Sequence, residues 1–147
     1  MARLSLVIDA SIVVKWYSAI GEKAIPQAVD ILERISRNDI YPIVPDLLYY
    51  EVTNALVHKK IISQEKVQTA VTDLFSLNLK TIPVDSAILV TSVRLAKQND
   101  ITIYDACYTV IAADYDCPLV TANPRHQKQG LGCRVIPIEQ WRGEKEE

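Results

Sequence analysis

The chain has 147 residues, about one domain's worth of polypeptide, and its 49% hydrophobic and 23% charged residues match a soluble globular protein. Sixteen Lys+Arg against eighteen Asp+Glu leave a net charge of −2; this excludes a histone-like or arm-type nucleic-acid binder, but not an enzyme that holds nucleic acid through a local patch or a metal. Four glycines without G-x-G-x-x-G or G-x-x-x-x-G-K-[ST] exclude a glycine-rich phosphate cradle, and three cysteines without C-x-x-C beside two histidines argue against zinc.

The opening run MARLSLVIDASIVVKWYSA has the look of a signal peptide, but Asp9 interrupts it and no A-x-A cleavage pattern follows. No stretch reaches about 18 uncharged apolar residues. Sparse, unpaired thiols fit a reducing compartment, so a cytoplasmic protein without a membrane partner is expected.

Leu4–Ile8 reads as the first strand, with a helix starting near Ser11. Residues 22–37 put Ala24, Ala28, Ile31, Leu32 and Ile35 on one helical stripe, with the regular part beginning at Pro26. A strand over 41–44 leads to a helix over 46–60, for which Asp46 is the expected N-cap. Residues 64–77, opened by Ser63, form an amphipathic helix. A strand over 79–84 follows, then a helix over 86–97 capped by Asp85. Residues 104–114 are apolar nearly all round, the pattern of a buried helix. Leu119–Thr121 and 134–138 read as the last strands, and 143–147 as a charged tail expected to be disordered, leaving one domain over 1–142. The strands are continuously apolar rather than alternating, as in parallel sheets covered on both faces. The expected fold is therefore α/β: an α/β/α sandwich around a mostly parallel sheet of about five strands.

Ligands of open α/β sheets bind beyond the carboxyl ends of the strands. Asp9 follows the first strand there, Asp46 the second, and Thr121 and Asn123 lie at the fourth. Asp9 has apolar neighbours on both sides; buried and unpaired, it would lose much solvation or be forced to protonate. Its plain alternative is a helix N-cap. Glu51 has Leu47, Leu48 and Ala55 at helical spacing, on or beside the inward face, and its plain alternative is a boundary glutamate paired with Lys or Arg. Asp105 is the lone charge in the first turn of an apolar helix, where capping and the helix dipole alone would account for it. Carboxylates brought together repel, and a shared proton or a hard cation relieves them. Mg²⁺ or Mn²⁺ with oxygen ligands suits a chain poor in His and Cys.

Four segments in order, V-I-D-A-S at 7–11, P-D-L-L-Y-Y-E-V-T-N-A-L at 45–56, I-Y-D-A-C-Y-T-V-I-A-A at 103–113 and P-L-V-T-A-N at 118–123, resemble PIN-domain nucleases. The resemblance is nearest to the small VapC-type ribonuclease toxins of toxin–antitoxin modules. It implies a PIN-like fold and Mg²⁺- or Mn²⁺-dependent hydrolysis of RNA phosphodiesters. Asp9, Glu51 and Asp105 would be its catalytic and metal residues. Asn123 stands where the family usually has a fourth acid; its amide oxygen can ligate but adds no charge, so one ion is expected to be held tightly and a second recruited with substrate. Ser11 and Thr121 match hydroxyl positions that would hold the carboxylates in place. A homodimer and a cognate antitoxin laid across the acidic groove are also implied.

Residues 117–138 carry no acid but include Arg125, Lys128 and Arg134, with His126 between. Arg125 and Lys128 are expected to bind phosphates flanking the cut; a solvated loop is the plain alternative. His58, Lys59 and Lys60 read as cations complementing a helix C-terminus. Three other readings compete. A catalytically weakened PIN-like scaffold that binds RNA or protein draws support from Asn123. A receiver-type phosphoacceptor lacks the strand-end Lys and the acidic pair on the first strand. A haloacid-dehalogenase-like phosphatase needs D-x-D where Asp9-Ala10-Ser11 stands.

Overall fold

A computed structural model describes residues 3–143. Strands β1 (Leu4–Ile8), β2 (Ile40–Pro45), β3 (Lys80–Ile82), β4 (Leu119–Thr121) and β5 (Val135–Pro137) form one sheet in the order β3-β2-β1-β4-β5. Every pair is parallel, so the sheet expected to be mostly parallel is parallel throughout. The connections hold α1 (Ala10–Tyr17), α2 (Ile25–Ser36), α3 (Leu47–His58), α4 (Gln64–Ser76), α5 (Ser86–Asn99) and α6 (Ile103–Asp114). Right-handed crossovers put α1 to α4 on one face and α5 and α6 on the other, the expected α/β/α sandwich. Within these layers α1 packs on α2 and α3, α3 on α4, and α5 on α6.

The central strand explains the missing alternation. Leu6, Val7 and Ile8 of β1 are all 0% exposed, so neighbours on both faces are apolar. With helices on both sides of the sheet, the site cannot collapse freely. Leu6→Ala is expected to cost about 2–5 kcal/mol, read as a lower urea midpoint at unchanged slope.

Besides α1, helix starts follow capping chemistry at three places. Ser63 accepts the Lys66 N–H at 3.2 Å, Asp85 the Ile88 N–H at 2.9 Å, and Thr102 the Asp105 N–H at 3.1 Å. Asp46 departs from expectation and makes no side-chain cap. Its backbone is already helical (φ −62°, ψ −24°), whereas a capping side chain needs an extended residue to reach the first turn's N–H groups. Its carboxylate instead accepts the Val84 N–H at 3.4 Å.

Other boundaries shift for local reasons. The second helix begins at Ile25, one residue before the Pro26 expected to open its regular part, so residues 22–24 lie outside it. Glu22 lies outside it, paired with Lys15 and Lys59 at 3.1 Å each. Lys59 thus reaches across to Glu22 rather than serving its own helix end, while His58 bonds the Asn54 carbonyl at 2.8 Å. β3 is shorter than 79–84, since Pro83 has no N–H for a ladder, and β5 yields to a 3₁₀ turn, Ile138–Gln140. Of the tail expected at 143–147, residues 144–147 lie outside the described residues. Cys107, Cys117 and Cys133 are free thiols. Among the described residues no helix is long and apolar enough to cross a membrane.

The strand order positions the site. β2 and β3 extend to one side of β1, β4 and β5 to the other, so the winding reverses between β1 and β4. Sheets of this kind bind ligands beyond the carboxyl ends of the strands at such a reversal.

Candidate active site

Asp9 sits at that reversal, where β1 hands over to α1. It is the N-cap of α1, its Oδ2 accepting the Ser11 N–H at 3.3 Å and also the Ser11 hydroxyl. From the end of β4, Thr121 Oγ1 donates to the same oxygen at 3.1 Å. Ser11 Oγ accepts the Ala122 N–H at 2.9 Å, and Thr121 Oγ1 the Asn123 N–H at 3.0 Å, so the two hydroxyls stitch the ends of β1 and β4 together. Capping therefore accounts for one carboxylate oxygen, not both. Asp9 is only 4% exposed. Burial pushes its carboxyl above the usual range, with the Asp105 charge adding to the push and the Ser11 and Thr121 hydrogen bonds opposing it.

Asp105 lies in the first turn of α6, after the Thr102 cap, where free N–H groups and the helix dipole favour an anion. Its Oδ2 is 3.6 Å from His126 Nδ1. Glu51 points from the middle of α3 toward α6, where the buried Tyr108 hydroxyl donates to its Oε1 at 2.8 Å. The partner is thus a phenol, not the Lys or Arg expected of a boundary glutamate. Burial lifts the Glu51 carboxyl to about 7; the charges of Asp9 and Asp105 add to this, and the Tyr108 hydrogen bond opposes it. Each carboxylate lies within electrostatic reach of another, although they are 42 and 54 residues apart in sequence (51 − 9 and 105 − 51).

Sequence reasoning missed two contributors. Tyr108 reads as core from its helical spacing, yet its hydroxyl holds Glu51. Gln127, 1% exposed, donates its Nε2 to Asp9 Oδ1 at 3.3 Å and to Asp105 Oδ1 at 3.4 Å. Its Oε1 accepts the Thr109 hydroxyl at 3.2 Å. The one available clue was its place in the acid-free stretch just past Asn123. Asn123 itself is exposed; its hydrogen bonds run through its backbone, whose carbonyl accepts the His126 and Gln127 N–H groups at 3.0 Å each. Arg125 is exposed, and Lys128 donates to the Asn99 carbonyl at 2.8 Å.

The donor set suits a hard divalent cation: carboxylate oxygens, two of them on groups whose ionised form is short of favourable contacts. Among the described residues no three His, Cys, Asp or Glu side chains converge into a ready-made cage. Gln127 stands between two of the carboxylates instead. A cavity of about 910 Å³ opens between α3, α4 and β3 beside the stacked rings of Tyr49 and Phe75. It includes none of the three carboxylates. A cation needs a few oxygens rather than a roomy apolar hollow.

A parallel α/β/α sandwich with acidic side chains grouped above its reversal point belongs to the class of α/β proteins that hold a polar ligand or ion at the strand ends. The family description that matches is the PIN domain, over residues 6–130, and the chain belongs to that family. Solved structures agree on the fold. VapBC2 from Rickettsia felis, bound to a DNA fragment from its promoter, superposes with a TM-score of 0.67 at 16% identity, covering 91% of this chain and 98% of that one. PAE2754 from Pyrobaculum aerophilum gives 0.66 at 19% identity, covering 92% and 90%. VapC20 from Mycobacterium tuberculosis, a sarcin-ricin loop cleaving toxin, gives 0.64 at 10% identity, covering 78% and 86%. No curated protein sequence matches the chain.

Proposed function

We propose that the chain is a Mg²⁺- or Mn²⁺-dependent endoribonuclease of the VapC toxin type, working in the cytoplasm as a homodimer and restrained by a cognate antitoxin. The observation that carries this reading is that Asp9, Glu51 and Asp105 lie within electrostatic reach of one another and accept hydrogen bonds from the neutral Tyr108 hydroxyl and Gln127 amide. Membership in the PIN-domain family supports it, as does likeness in fold to a sarcin-ricin loop cleaving toxin and to a toxin–antitoxin complex.

In this reading Asp9 and Asp105 would hold the cation, with Glu51 and Asn123 as its further oxygen donors. When bound, the cation supplies Lewis acidity, acidifying water and offsetting charge on the phosphodiester. Ser11 and Thr121 keep Asp9 in place by occupying its other oxygen. Glu51, tied to Tyr108 at Oε1 and with a pKa of about 7, suits the acceptance of a proton from the attacking water at neutral pH. Arg125 and Lys128 steady flanking phosphates. Arg125→Ala is expected to weaken RNA binding uniformly across sequences and to reduce the salt-dependence slope by about 1, measured by titration at several salt concentrations.

The direct test incubates purified, inhibitor-free protein with RNA in Mg²⁺, Mn²⁺ or EDTA. Cleavage confined to the two cations supports the proposal; equal cleavage in EDTA overturns it. A scaffold that binds without cutting, the reading that the uncharged Asn123 favours, predicts cation-independent binding and no cleavage in any of the three.

A further inference from the structure

Gln127 is the buried polar side chain at this site that the proposed chemistry leaves unused. Its three partners fix its orientation, since the opposite amide orientation would set its oxygen against two carboxylates. The distribution of partners is uneven. Asp9 Oδ2 accepts the Ser11 N–H, the Ser11 hydroxyl and the Thr121 hydroxyl, whereas Oδ1 has Gln127 as its one partner among the described residues. Asp105 repeats the pattern, with Oδ2 facing His126 and Oδ1 meeting Gln127. The amide therefore covers the two oxygens that a bridging cation would take. Its bonds, at 3.3 and 3.4 Å, lie beyond the usual N–H···O range, and the group carries no net charge. A divalent cation outcompetes it for both oxygens.

We propose that Gln127 is a positioning residue that stands in for the cation, holding Asp9 and Asp105 together until an ion enters and then yielding their Oδ1 atoms. The Thr109 hydroxyl, which can accept as well as donate, receives the released amide. This inference rests on the cation-site reading given above.

The test compares wild type with Gln127→Met, which keeps length without a donor, and Gln127→Ala, which leaves room for water. Mn²⁺ affinity is measured by calorimetry and melting temperature in EDTA and in saturating Mn²⁺. Both variants are expected to melt lower than wild type in EDTA and to regain most of the difference in Mn²⁺. They should bind Mn²⁺ about 3- to 10-fold more tightly, the size of one net hydrogen bond removed from the competition. A merely structural glutamine would lower the melting temperature without tightening the ion. Unchanged or weaker binding in the variants, with wild type binding normally, overturns the stand-in role alone. Absence of Mn²⁺ binding in all three proteins overturns it together with the cation-site reading.

Discussion

Asp9→Asn is expected to lower cation-dependent RNA cleavage by more than the roughly 10- to 100-fold typical of losing a side chain that only positions a metal ligand, while leaving the protein at least as stable as wild type. The two halves of this expectation have one cause. Asp9 is buried at the reversal between β1 and β4, and its ionised form is disfavoured there by desolvation and by Asp105. An acid whose pKa is raised on folding holds its proton more tightly in the folded chain. Its contribution to stability is thus lost as pH rises through the raised value, and once ionised the charge works against folding. Asparagine removes that charge and keeps an oxygen for the Ser11 and Thr121 donors, while Gln127 gives up its long bond to this residue and keeps the one to Asp105. Cleavage assays and thermal melts in EDTA measure both halves. A variant that loses activity because it unfolds, or one that cleaves as wild type does, contradicts this account of Asp9.

The second large effect is a pH dependence set by Glu51. Its carboxyl is raised from 4.5 to about 7, so a proton competes with any cation throughout the acidic range. Mn²⁺ affinity is expected to rise about tenfold per pH unit below about 7 and to level off above it, as one proton is displaced per ion bound. Without cation the sign reverses for stability: the folded chain loses stability as pH climbs from about 4.5 to about 7, and saturating Mn²⁺ removes that slope. Glu51→Gln flattens both profiles and lowers cleavage by roughly 10²–10⁴-fold. Tyr108→Phe deletes a donor to the charged carboxylate, so the midpoint of the Mn²⁺ profile moves to higher pH. Calorimetry from pH 5 to 8 reads all of these; a flat wild-type profile contradicts the assignment.

The sequence makes the sheet legible because parallel strands leave a plain trace. LSLVI is apolar without alternation, and Leu6, Val7 and Ile8 are buried on both sides as that pattern requires. Asp9, Glu51 and Asp105 stand out for the related reason that a charge amid apolar neighbours needs an explanation. Asp46 misleads because capping depends on backbone angles, which residue type alone does not reveal. Gln127 is neutral and lies in an irregular loop, where no period says which way a side chain points. Tyr108 hides among core residues, since a helical stripe shows that a tyrosine is buried but not where its hydroxyl ends. What escaped the sequence is therefore the neutral hydrogen-bonding shell around the acids, which only tertiary geometry defines.

The most direct measurement of the central claim is anomalous scattering from crystals soaked in Mn²⁺. One peak is expected about 2.0–2.2 Å from both Asp9 Oδ1 and Asp105 Oδ1, with Glu51 reached directly or through one water. A peak remote from these carboxylates, or none at millimolar Mn²⁺, would contradict the claim that they form a cation site.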